Sequence, residues 1–318
     1  MGTSEVKATS HKKQVSVEIA RVGKDEMNLA EFPITILTNR APEGVKTLRY
    51  RDHHGQLTVT GSDALGLPTA IDADVIVALI ELTKKRNNFT EQTVNFTRYE
   101  LIRLIGWANV GTSYDRVEES LNRWAGVLLM YDGCWWDNRS KTYVSKTFHI
   151  IESIIIAEGK LKVTRGGEQA SLPLSSFTWS KDFIQSCKDN NLKDLDTSLY
   201  FSLTLPTSKQ LFRFLDKRFY RHPDLDFDLA EVAFERVGLS RGYSGNAGKI
   251  KEKLGDAIGE LETRGFLKPL TRDERYFKTR AGWRIRLIDG RSIPPALAEV
   301  VENALLKLPL DAAVRPAG

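Results

Sequence analysis

Cysteine is almost missing from this chain, which carries only Cys134 and Cys187. Two cysteines cannot build a disulfide framework, and without Cys-x-x-Cys spacing they do not form a zinc site. The histidines at 11, 53, 54, 149 and 222 do not repair that deficit. His53 and His54 are adjacent, so on a strand they point to opposite faces and cannot share a metal. That argues against a DNA-nicking enzyme, which would want a His-x-His metal site and a Tyr nucleophile. No apolar run approaches the roughly 20 residues a membrane helix needs. The N-terminus, MGTSEVKATSHKKQ, lacks the hydrophobic region of an export signal. A Gly-x-x-x-x-Gly-Lys-Ser/Thr loop and a Ser/His/Asp arrangement are both absent. The chain reads as a non-enzyme with no cofactor, no metal and no membrane partner, and a reducing cytoplasm is its simplest setting.

What is present suits globular domains. The 318 residues are 41% hydrophobic and 27% charged, enough for two cores of ordinary size. The formal charge of +5 is modest, but it is unevenly spread. Residues 69–151 hold 10 Lys/Arg against 10 Asp/Glu, whereas 206–288 hold 18 against 12. Within 264–286 alone the count is 8 basic to 2 acidic, so the excess sits in one short segment. Such a segment suits a phosphate-facing surface.

Residues 97–130, TRYELIRLIGWANVGTSYDRVEESLNRWAGVLLM, carry the most information. Thr97 and Glu100 form a capping box, and Gly106 closes the helix they open. After a turn over 109–112, a helix from Ser113 places Tyr114, Val117, Leu121 and Trp124 on one face, and Gly126 ends it. Strands over 127–131 and 143–151 follow, joined by the turn DGCWWDNRSK. Helix, turn, helix and β-hairpin in that order are the skeleton of a winged helix-turn-helix. The same order returns downstream. Residues 211–219 give a helix, 226–228 an extended piece, and Asp228 caps a second helix that Gly238 ends. A turn over 240–245 leads to a long helix from Asn246, and strands over 266–270 and 283–288 would form the wing.

The expected fold class is therefore α+β, two tandem winged helix-turn-helix domains. Residues 1–28 read as a flexible leader and 29–160 as the first domain, with an N-terminal β-hairpin around His53 and His54. Residues 161–205 read as a structured interdomain connection, 206–290 as the second domain, and 291–318 as a C-terminal helix and tail.

In such a unit the helix after the turn enters the major groove, and the wing touches backbone or minor groove. The candidate DNA-binding residues of the first domain are Ser113, Arg116 and Arg123, on a face that also carries Glu119 and Ser120. An ordinary solvated helix in a dimerisation domain fits that weakly basic face equally well. The second domain offers Arg241, Tyr243 and Ser244 in the turn, Asn246, Lys249 and Lys253 on the helix, and Arg272, Arg275, Lys278 and Arg280 in the wing. Its concentrated charge favours DNA contact over a plain surface.

The stretch EFPITILTNRAPEGVKTLRY, with LTVTGSDALGLPTAIDADVIVALIELTK, VNFTRYELIRLIGW and SYDRVEESLNRWAGVLLMYDGCWWD, resembles the replication initiator protein A family of bacterial plasmids. The resemblance covers about residues 31–150, and LYFSLTLPTSKQLFRFLDKRFY looks like the entry to a second winged domain. It implies binding to double-stranded DNA at repeated origin sites (iterons), origin opening, and recruitment of the host replication initiator and helicase. A homodimer through the first domain is also implied. A winged-helix repressor without a replication role would show the same sequence features.

Overall fold

In the computed structural model, residues 22–40, 42–157 and 174–291 are described. The chain enters as β1 (Val22–Glu26), followed by the hairpin β2 (Thr47–Arg51) and β3 (Gln56–Thr60). Helix α1 (Ala70–Asn87) begins where Thr69 and Asp72 cap each other, and it ends on a left-handed Asn88. Its middle, from Val75 to Leu82, is buried throughout. A helix without a wet face belongs inside a core. Strand β4 (Thr93–Phe96), α2 (Arg98–Ile105) and α3 (Gly111–Ala125) follow, then β5 (Leu128–Asp137), β6 (Thr142–His149) and β7 (Ile151–Ile155). The expected turn at 132–141 is shorter than the sequence suggests. β5 continues through Trp135 and Trp136 after an irregularity at Gly133, whose φ of +68° only glycine adopts freely.

Four antiparallel strands form the sheet β2-β3-β5-β6. A second sheet is not local. β8 (Ser175–Trp179) inserts between β4 and β7. After α4 (Lys181–Lys188), β9 (Leu192–Asp196) pairs with β1 along its whole length. Two boundaries are therefore corrected. Residues 22–28 are not leader, since Asp25 and Glu26 are fully buried and Glu26 accepts from Leu29, Ser186 and Asn191. The described part of 161–205 is not a connection but supplies strands to both ends of the first half. Trp179 binds it to α1 through Thr83 at 2.8 Å. Residues 1–21 of the leader, residues 161–173 of the expected connection, and the helix and tail expected after 291 lie outside the described residues.

The second half runs α5 (Thr197–Ser202), α6 (Pro206–Phe219), β10 (Asp224–Asp228), a π-helical turn Glu231–Val237, α7 (Ala247–Thr263), α8 (Arg272–Arg275), β11 (Tyr276–Thr279) and β12 (Gly282–Ile288). Its sheet order is β10-β12-β11. The wing strands are thus 276–279 and 282–288. Phe266 is a core residue instead, its ring 4.7 Å from Phe212, and Leu267 makes one isolated bridge to Asp289.

Charge clasps the halves together. Arg213 of α6 binds both oxygens of buried Asp25, at 2.8 and 2.7 Å, and Lys209 holds Asp74 of α1 at 2.7 Å. Glu31 receives Lys217, Arg218 and Arg236. Burial pushes its carboxyl up, but those three cations outweigh burial and bring it down to about 2.

Candidate nucleic-acid interface

Two helices follow a turn and precede a hairpin, α3 and α7, and their surfaces differ. The capping box of Thr97 and Glu100 opens α2, and Gly106, at φ +84°, closes it. α3 then buries Ser113, Val117, Ser120, Leu121 and Trp124. Ser113 and Ser120 lie on the inner face, so neither reaches a ligand. Arg123 is withdrawn as well. Its Nη1 lies 2.7 Å from both oxygens of fully buried Asp72, and its Nε donates to the Leu65 carbonyl at 3.0 Å. Trp124 is the core residue its position suggests, donating to the Asp72 carbonyl at 2.9 Å. Of the three first-half candidates only Arg116 faces solvent, with Glu119 beside it. The face is close to neutral.

The second surface is built differently. Asp228 accepts from the amides of Ala230 and Glu231, Gly238 ends the π-helical turn in the left-handed region, and Ser240 caps the short turn Arg241–Tyr243. Asn246 accepts from the Lys249 amide and so starts α7. Ile250, Leu254, Ala257, Ile258 and Leu261 turn inward. Lys249 and Lys253 remain about two-fifths exposed and share one carboxylate, Glu252, at 2.7 and 3.8 Å. An exposed pair of this kind yields easily to a competing anion. Ser244 and Asn246 are exposed, whereas Tyr243 packs half-buried on the core. Arg241 is partly engaged, bound to Glu235 at 2.9 Å and to the Arg49 carbonyl at 3.3 Å.

The basic segment divides in two. Arg275 is buried, and its guanidinium reaches Glu262 and the carbonyls of Lys268 and Arg286. It fastens α7 to the hairpin and is unavailable to phosphate, contrary to its place among the candidates. Arg284 and Arg286 are matched across the sheet by Asp226 and Asp224. Among the described residues, the cations of this segment left exposed without a carboxylate partner are Arg264, Lys268, Arg272, Lys278 and Arg280, of which Arg264 donates to the Ser202 carbonyl. Lys268 was not singled out from the sequence, although the local excess of charge included it. The β11–β12 turn carries Arg280 outward, and Lys251 lies 2.9 Å above the Trp283 ring, tying α7 to the hairpin. Between α7 and α8 runs a groove of about 540 Å³ that includes Gly248, Gly255, Gly259, Lys251 and Arg272. Nothing lies within 4 Å of a Cβ placed on Gly255 or Gly259.

His53 and His54 are not on opposite faces of a strand. They sit in the β2–β3 turn with ring centroids 3.8 Å apart.

A family model described as Replication initiator protein A matches residues 24–243. No curated protein matches the chain. Among solved structures, domains 2 and 3 of RctB resemble it at 15% identity and a TM-score of 0.48, covering 81% of this chain and 95% of that one. Another structure of RctB domains 2–3 gives 13% identity and 0.47, covering 85% and 97%. The family match ends at Tyr243, before α7 begins, so the role of α7 and its hairpin rests on their own geometry.

Proposed function

We propose, because this chain belongs to the replication initiator protein A family, that it grips duplex origin DNA through α7 and the β11–β12 hairpin. On this reading the two halves are tandem winged helix-turn-helix units that bind repeated origin sites, strain the duplex toward opening and seat the host initiator and helicase. The protein acts through binding energy, without catalysis, in the bacterial cytoplasm. Pairing of two copies would fall to the first half.

One observation carries the assignment of the grip. α7 is the helix after the turn that keeps lysines on its solvent face, and its hairpin adds Lys278 and Arg280 beside it. The glycines of α7 support the same reading. Each glycine in a helix costs about 1 kcal/mol relative to alanine. Gly255 and Gly259 bear that cost although internal packing leaves room for a side chain. A partner whose surface approaches the helix closely supplies the missing reason.

Footprinting on the DNA flanking the gene tests the proposal. Protection of repeated sites at helical-turn spacing is expected, and a lack of sequence-dependent protection would overturn it. A minimal plasmid carrying this gene and those repeats separates initiator from repressor. Replication is expected, whereas repression without replication would favour the repressor.

A further inference from the structure

The tip of the β2–β3 hairpin is clamped, which is unusual for a turn. Asp52 accepts from the amides of His54 and Gly55 at 2.8 and 3.0 Å. Gly55 presses on β5 so closely that a Cβ there would lie 1.9 Å from the Asp132 carbonyl oxygen. On the other side Ser145 accepts from the Gly133 amide and donates to Asp132. These contacts fix the backbone that carries the two histidines.

The rings continue into β5 and β6. His54 stacks on Tyr143 at 3.7 Å and 24°, and Tyr143 meets the edge of Trp136 at 5.1 Å. His53, His54, Tyr143 and Trp136 thus make a run of four aromatic rings. Both histidines are exposed, and Tyr143 is 41% exposed. Partial burial and the neighbouring His53 hold the His54 imidazole below its usual range. Cations border the run. Arg139, paired with Asp189 at 3.1 Å, and Lys141 lie in the β5–β6 turn, where Lys141 and the Trp136 ring nitrogen share Asn138 as a partner. Arg218 at the end of α6, paired with Glu31, keeps 38% of its side chain exposed.

We infer that this aromatic run is a second nucleic-acid site, a platform on which unpaired bases of single-stranded DNA stack. Duplex bases hide their faces in their own stack, so a preformed row of rings beside cations selects strands whose bases are free. The site is separate from α7 and lies within the residues that the family model matches. It stands whether or not α7 reads duplex DNA.

The test uses the full chain and a short fluorescein-labelled single strand of mixed sequence, followed by anisotropy beside the same sequence as a duplex. His53→Ala/Tyr143→Leu, which keeps an apolar side chain on β6, is expected to weaken single-strand binding about tenfold or more and leave duplex binding unchanged. Failure of the parent protein to bind the single strand overturns the inference. So does equal single-strand affinity of parent and variant, the result expected if the rings serve a protein partner, or equal loss on both DNAs. A bromodeoxyuridine strand photo-cross-linked to the unaltered protein gives a readout free of folding effects. Adducts are expected on the peptides bearing Tyr143 or Trp136, and adducts confined to α7 and its hairpin contradict the platform.

Discussion

α3 and α7 occupy the same place in two similar runs of elements, yet their cations have opposite fates. On α3, Arg123 is drawn inward by Asp72, and Arg98 of α2 is taken by Glu118. On α7, Lys249 and Lys253 stay at the surface with one carboxylate between them. The strand pairing diverges as well. β10 pairs directly with β12, whereas β4 reaches β7 only through β8. A shared order of elements therefore does not confer a shared surface. What matters is whether a carboxylate draws each cation inward, as buried Asp72 draws Arg123.

That contrast can be broken most forcefully at Arg123. Arg123→Ala strands the buried Asp72 carboxylate and should cost about 3–5 kcal/mol of stability, read from urea midpoints, with duplex affinity of the folded protein little changed. Lost DNA affinity at unchanged stability would make Arg123 a contact after all.

The seam between the halves supplies the next effect. Glu31 has a folded-state pKa depressed to about 2 from an ordinary 4.5. Its contribution is complete above pH 4.5 and disappears as pH falls toward 2. Its size is on the order of 3 kcal/mol. Acid unfolding of Glu31→Gln should therefore show a flatter pH dependence than the parent between those values. An identical profile would remove the seam from the stability of the fold.

Within the basic segment, Lys278→Ala/Arg280→Ala should lower the salt slope of duplex binding by about two, roughly one per lost phosphate contact. Melting should not change. An unaltered slope would show that the hairpin tip does not face DNA.

The glycines of α7 offer the smallest effect and the sharpest sign. Gly255→Ala should stabilise the protein by up to about 1 kcal/mol, because nothing crowds the new methyl group. Gly255→Leu should weaken duplex binding. Unweakened binding would deny a close approach at that face.

Much of the helical framework was legible in the sequence, because caps are local. Thr97 with Glu100, Gly106, Asp228, Gly238 and Asn246 act as their positions imply. The long-range pairings were not legible. Nothing local in Val22–Glu26 announces that β9 will pair with it, and the leader reading failed over residues 22–28 for that reason. Periodicity placed Ser113 and Ser120 outside because small polar residues satisfy an outward pattern as readily as an inward one. The charge excess of 264–286 marked a segment in which several cations do stay exposed. It could not distinguish Arg275, drawn toward Glu262, from Arg280 at the open turn. That distinction depends on a carboxylate of another helix, 13 residues upstream. The ring run around His54 depends on a bulge in β5 that the residues 132–141 disguise as a turn.

The most direct measurement compares salt dependence of duplex binding for Lys249→Ala/Lys253→Ala and for Arg116→Ala against the parent. The α7 pair should lower the slope of log affinity against log salt by about two, and should weaken a specific site more than random DNA. Arg116→Ala should leave the slope within about half a unit of the parent. A larger drop from Arg116 than from the lysine pair would contradict the assignment and place the grip on α3.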